Sequence, residues 1–285
     1  MADIVDKFLA GLSRQDPPQV VLVQGDLVLA VPAAERIAAV LAKTGGAVVE
    51  TQRHSPSLSP LIQDLRTFSL FASSKVVLAV DSAVFADREA ASELIDDAAD
   101  VLPLKEMAGR ALSSKERQAA SRLFQVLRLF DVDPYAGAPE RALGELPAWA
   151  LEGRRSRGGK PRGKKQVEEL RSGLAVLLEA ARGEGIQGAG EGEVAELGEV
   201  IRGGLPPGHH LVLAERVVAK DHPLSVLLEE RKALLRVGEV EAERGSWQGL
   251  DLLAKELERQ TGVGIAPDAL NELARRTLRQ EEGKG

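Results

Sequence analysis

The sequence predicts an α/β fold, a parallel sheet covered by helices on both faces, on three observations. Short, nearly continuous apolar runs recur at Val20–Val23, Val76–Val80 and Leu211–Leu213. The first two are separated by segments whose apolar residues repeat at helical spacing. Parallel strands need such crossovers, and a strand buried on both faces reads as a continuous apolar run rather than an alternating one.

Taken in order, Ile4, Val5, Phe8, Leu9 and Leu12 mark a first helix, and Pro17-Pro18 stops it. Val20–Val23, closed by Gly25, is the first strand. Pro32 suits a first helical turn, Ile37, Val40 and Leu41 give that helix its apolar face, and Gly45-Gly46 ends it. Ala47–Val49 is the expected second strand, Leu58–Phe68 a helix, and Val76–Val80 the third strand. Asp87 is placed to cap a helix running to about Ala99.

From Pro103 to Pro207 the sequence reads as an insertion, partly helical and partly disordered. Ser113 or Ser114 caps a helix to about Phe130, a loop rich in proline and glycine follows, and a helix spans Gln166 to Arg182. Gly183–Glu193 has the composition of a linker. Alternation then resumes with the strand at Leu211–Leu213, a short helix over Leu224–Glu230 and a strand over Leu234–Val240. Beyond Trp247 the pattern is helical only, which predicts a small all-helical domain. The expected division is 1–102 with 208–243 for the α/β domain, 103–207 for the insertion and 244–285 for the helical domain.

Composition excludes several classes. The 285 residues include no cysteine, which rules out a disulfide framework, a Cys-ligated zinc or iron–sulfur centre and a cysteine nucleophile. It also fits a reducing, cytoplasmic compartment. The N-terminus lacks the charge pattern and apolar core of a signal peptide, and no run of 18 apolar residues occurs, so no membrane association is expected. With 37 basic and 43 acidic residues, the net charge of −6 argues against a surface that coats nucleic acid, though not against a local basic patch.

Such a patch exists. Arg154, Arg155, Arg157, Lys160, Arg162, Lys164 and Lys165 fall within twelve residues that hold no acid. They form either a solvated loop or a set of sequence-independent contacts to DNA phosphates. Gly158–Lys164 also matches the spacing of a phosphate loop, but Lys165 replaces the required hydroxyl and no apolar strand precedes it. After the first strand, where that loop belongs, Gln24-Gly25-Asp26-Leu27 offers neither lysine nor hydroxyl, and Asp26 would repel a phosphate. Asp81, at the end of the third strand, resembles a magnesium-holding aspartate. Ser82 follows it where a catalytic carboxylate is expected, so a turn-initiating role is the better reading. His54, His209, His210 and His222 lack metal spacing, no nucleophile elbow occurs, and Trp149 and Trp247 read as packing anchors. No catalytic residue, metal or cofactor is expected.

One segment breaks the pattern. Thr67-Phe68-Ser69-Leu70-Phe71-Ala72-Ser73-Ser74-Lys75 places three large apolar residues in a turn. They either cap the local core or present an apolar pair to a partner. With the Val20–Asp26 strand and turn and the pattern from His209 to Arg279, this segment resembles the delta subunit of the bacterial DNA polymerase III clamp loader. The resemblance implies a RecA/AAA+-like core with a degenerate phosphate loop, no ATP hydrolysis, and a role within a DNA-directed DNA polymerase holoenzyme. It implies that Leu70 and Phe71 enter a pocket of the sliding clamp (beta). The other expected partners are gamma/tau, delta prime and DNA, and the family's collar domain falls beyond the end of this sequence. The alternative is a nucleotide-independent DNA-binding or scaffolding module that works through the basic run.

Overall fold

The computed structural model describes residues 2–12, 17–53, 57–67, 74–104, 110–153, 161–188 and 190–237, with six isolated positions between 258 and 269. Five strands form one sheet: β1 (Val20–Gln24), β2 (Val49–Arg53), β3 (Lys75–Val80), β4 (His209–Glu215) and β5 (Leu234–Arg236). Their order is β2-β3-β4-β1-β5, and every neighbouring pair is parallel.

Alternate residues of each strand serve opposite layers. Val21, Val23, Val76, Leu78, Val80, Val212 and Ala214 pack beneath α1 (Ala2–Leu12) and α2 (Leu27–Gly45). Val20, Leu22, Val77, Ala79, Leu211 and Leu213 face α3 (Ser59–Arg66) and two later helices, α9 (Glu191–Gly203) and α10 (Pro223–Glu230). The α/β architecture expected from the apolar runs is therefore present. Among the described residues no helix is long and apolar enough to cross a membrane.

Three boundaries differ from expectation. α2 begins at Leu27, so Pro32 lies inside the helix rather than in its first turn. The earlier start follows from Asp26, whose carboxylate accepts the Val28 N–H at 2.9 Å. β2 is shifted to Val49–Arg53 because it lies at the edge of the described sheet: paired among the described residues only with β3 and largely exposed, it needs no apolar run. β5 is Leu234–Arg236, with Val237 already outside it, and 238–240 of the expected strand lie outside the described residues.

The 103–207 region contributes a second core. α5 (Ser114–Leu129), α6 (Pro139–Gly144), α7 (Ala148–Glu152) and α8 (Lys164–Gly183) join α4 (Ala91–Ala99) around Leu94, Leu123, Phe124, Leu143, Leu151 and Leu177. Ser113 caps α5 in a capping box with Glu116. Asp87 caps a short 3₁₀ turn that leads into α4. The stretch of linker composition is packed. Ile186 is buried, the Tyr135 hydroxyl donates to Ile186 O at 2.7 Å, and Arg128 Nη1 donates to Gly188 O at 2.8 Å. The helices expected after Trp247 lie outside the described residues apart from isolated positions.

Candidate functional site

Open α/β sheets bind ligands at the carboxyl ends of their strands, so the turn after β1 is the first place to look. There the chain closes on itself. Gly25 has φ of 152° and donates its N–H to Glu215 O at 3.0 Å. A Cβ at this position would collide with Val237 O, which follows β5, so only glycine fits. Asp26 then supplies the anion at the start of α2: its side chain takes the Val28 N–H, and its carbonyl takes those of Leu29 and Ala30 at 2.8 and 2.7 Å. The donors a phosphate would use are thus engaged by the chain's own carboxylate and carbonyl.

Beside this turn, a crevice of about 460 Å³ is lined by Leu27, Asp81, Asp97, Lys115, Arg122 and Arg216, among others. Asp81 and Ala83 both occupy the left-handed region, with φ of 54° and 57°, a costly conformation that the surroundings must enforce. Three buried side chains enforce it. Glu215 accepts Ser82 N at 2.9 Å, Ser82 Oγ at 2.5 Å and Ala83 N at 2.9 Å. Arg122 donates to Ser82 O at 2.7 Å, to Asp81 O, and to Asp81 Oδ2 at 3.1 Å. Gln125 donates to Ala83 O at 2.6 Å. Burial, with Asp81 nearby, pushes the Glu215 carboxyl up to about 7 despite the donors facing it. On the crevice's other wall, Arg216 bridges Glu93 and Asp97 of α4.

The Ser82–Glu215 contact has the spacing of a nucleophile and its base. Both groups are buried, however, and neither lines the crevice, so the contact braces the turn. Asp81 lies in an ion pair, and among the described residues no group of three metal-ligating side chains occurs.

The expected site residues divide. Leu70, Phe71, Arg154, Arg155, Arg157 and Lys160 lie outside the described residues, as do His54 and Trp247. Arg162 is held internally, with Nη2 2.6 Å from Asp96 Oδ1 and Nη1 3.2 Å from Leu151 O. Lys164 and Lys165 are exposed in the first turn of α8. His209 and His210 point to opposite faces of β4, with Nδ1 atoms 2.7 Å from Leu65 O and 3.3 Å from Pro18 O respectively. Trp149 packs edge-on against Phe130.

Both stems of the Phe68–Ser73 segment are well fixed. α9 presents Glu193, Glu196 and Glu199 at three-residue spacing, and each holds a different part of the α3 region. Glu193 accepts Leu58 N at 3.0 Å, Glu196 accepts Ser59 Oγ at 2.6 Å, and Glu199 pairs with Arg66 at 3.0 Å. On the other side, Ser74 Oγ donates to Gly208 O at 2.6 Å, and Lys75 pairs with Asp64 at 2.7 Å. Sequence reasoning passed over Arg122, Gln125 and Glu215. The available signal was polar residues set within otherwise apolar runs of α5 and β4. No protein-family model, curated protein or solved structure matches the chain.

Proposed function

We propose that the chain is a non-catalytic subunit of a DNA polymerase III clamp loader, which binds and opens the sliding clamp beside gamma/tau and delta prime subunits. The five-stranded parallel sheet is compatible with the RecA/AAA+-like core this reading requires. The observation that carries it is Asp26: at the strand-to-helix turn of a nucleotide-binding core, the anion's place is taken by a side chain. A core of this kind without a phosphate site serves as a framework rather than a motor. Leu70 and Phe71, between the fixed stems of α3 and β3, are the proposed clamp anchor.

The test is clamp binding by surface plasmon resonance, with the melting temperature recorded in parallel. The chain should bind clamp. Leu70→Ala with Phe71→Ala should weaken binding by roughly two orders of magnitude, from about 3 kcal/mol of lost apolar burial, without lowering the melting temperature. A chain that ignores the clamp, or a folded double variant with native affinity, overturns the reading.

A further inference from the structure

At the amino end of β1, away from Asp26, a cavity of about 570 Å³ lies among the ends of α1, α9 and α10. Its walls are apolar, with Phe8, Val20, Ile201 and Leu228. Among the described residues its charged lining is entirely basic, with Lys7, Arg231 and Lys232, in a chain whose acids outnumber its bases.

Arg231 and Lys232 are only lightly engaged by the fold. A helix C-terminus attracts bases to its free carbonyls, but three of the last carbonyls of α10 already have main-chain donors. Leu227 O accepts Arg231 N at 3.3 Å, Leu228 O accepts Ala233 N at 2.8 Å, and Glu229 O accepts Lys232 N at 2.9 Å. At the end of α9, Val200 O accepts Gly204 N at 2.8 Å. Among the described residues Arg231 makes one long hydrogen bond, to Arg202 O at 3.4 Å, and neither it nor Lys232 meets a carboxylate. Lys232 also has φ of 56°, the left-handed position after a helix where glycine or asparagine is the usual residue. A lysine held there at a conformational cost places its charge at the cavity.

We propose that this cavity binds a small amphiphilic carboxylate, with the tail against Phe8, Val20, Ile201 and Leu228 and the head group on Arg231 and Lys232. The volume falls in the range of roughly 300–1,000 Å³ typical of small-molecule sites, and a mostly apolar lining with few placed polar groups is their usual chemistry. The inference is independent of the clamp-loader reading.

The probe is decanoate, below its aggregation concentration, titrated calorimetrically into the full chain beside acetate and decyltrimethylammonium. Decanoate should bind saturably at one site, at least tenfold tighter than either comparison ligand. Arg231→Gln with Lys232→Asn, exposed changes that keep the left-handed turn accessible, should weaken decanoate at least tenfold and leave the melting curve unchanged. Gly11→Trp should block binding, since a side chain built at Gly11 meets nothing within 4 Å and Gly11 lines the cavity. Absence of saturable decanoate binding, equal affinity for the cationic amphiphile, or native affinity in the folded Arg231/Lys232 double variant overturns the proposal.

Discussion

Arg122 Nη2 stands 3.1 Å from Asp81 Oδ2, with the two side chains 4% and 6% exposed. The contact joins α5, in the helical core, to the turn that follows β3, in the sheet core. Two packed units therefore share one buried ion pair at the place where an α/β protein would ordinarily hold its ligand.

Such a pair adds little over a well-packed apolar substitute, but removing one partner strands the other charge in a dry site. Arg122→Ala should lower the unfolding free energy by roughly 3–5 kcal/mol in urea titrations. Adding Asp81→Asn should recover part of that loss. If the single variant loses less than about 1 kcal/mol, water reaches the Asp81 carboxylate and the site is not dry.

Glu215 sets a pH dependence of definite sign. Its folded-state value of about 7 lies above the ordinary 4.5, so folding takes up a proton between those limits. Its contribution is therefore fully present below about pH 4.5 and is lost as pH rises through 7, an expected decline of roughly 3 kcal/mol. Glu215→Gln should flatten that part of the stability profile, even if its overall level falls. Equal slopes from pH 5 to 8 in the two proteins would show that Glu215 stays ionised.

Two glycines should respond oppositely to alanine. Gly25→Ala forces a methyl group against Val237 O at a positive φ, and should destabilise by more than about 2 kcal/mol. Gly11, in α1 with open space around it, should gain roughly 0.5–1 kcal/mol. Thermal unfolding of both variants checks the pair.

The basic run separates in the same way. Arg162→Ala should lower the melting temperature, because it breaks the contacts to Asp96 and Leu151 O. Lys164→Ala with Lys165→Ala should leave stability unchanged. If these lysines touch DNA, losing both should reduce the salt dependence of binding by nearly two units of log K against log salt on duplex DNA. A slope that falls for Arg162→Ala instead would mean its ion pair opens on DNA.

The readability of the fold tracked the hydrophobic effect. β3 and β4 are buried along almost their whole length, so their apolar runs announced them. β2 is held mainly by main-chain pairing to β3, which leaves no apolar signature, and it was misplaced. The packed 183–188 stretch looked like a linker because composition does not reveal partners: Arg128 and Tyr135 donate to its main-chain carbonyls, and the Glu184 carboxylate pairs with Arg117. The turn after β1 was legible, since glycine and aspartate have distinct conformational and electrostatic roles there. The brace of Arg122, Gln125 and Glu215 was not. Arg122 and Gln125, on α5, lie far along the chain from Glu215 and from the turn all three hold, and a buried charge resembles an exposed one until its partner is known.

The position of β1 has a consequence for biosynthesis. It is the first strand made, yet its only neighbours are β4 and β5, and Val20 waits about 190 residues for Leu211. At typical elongation rates that interval is roughly 10–40 s, during which Val20–Val23 leaves the ribosome with no sheet to join. The helical core of α4–α8 can condense meanwhile, because its contacts are mostly local. The sheet cannot close until β4 slides between two strands already made. A ribosome stalled between the end of β3 and residue 209 would carry an unclosed sheet with an apolar edge, a substrate for chaperones and proteases rather than a smaller version of this protein.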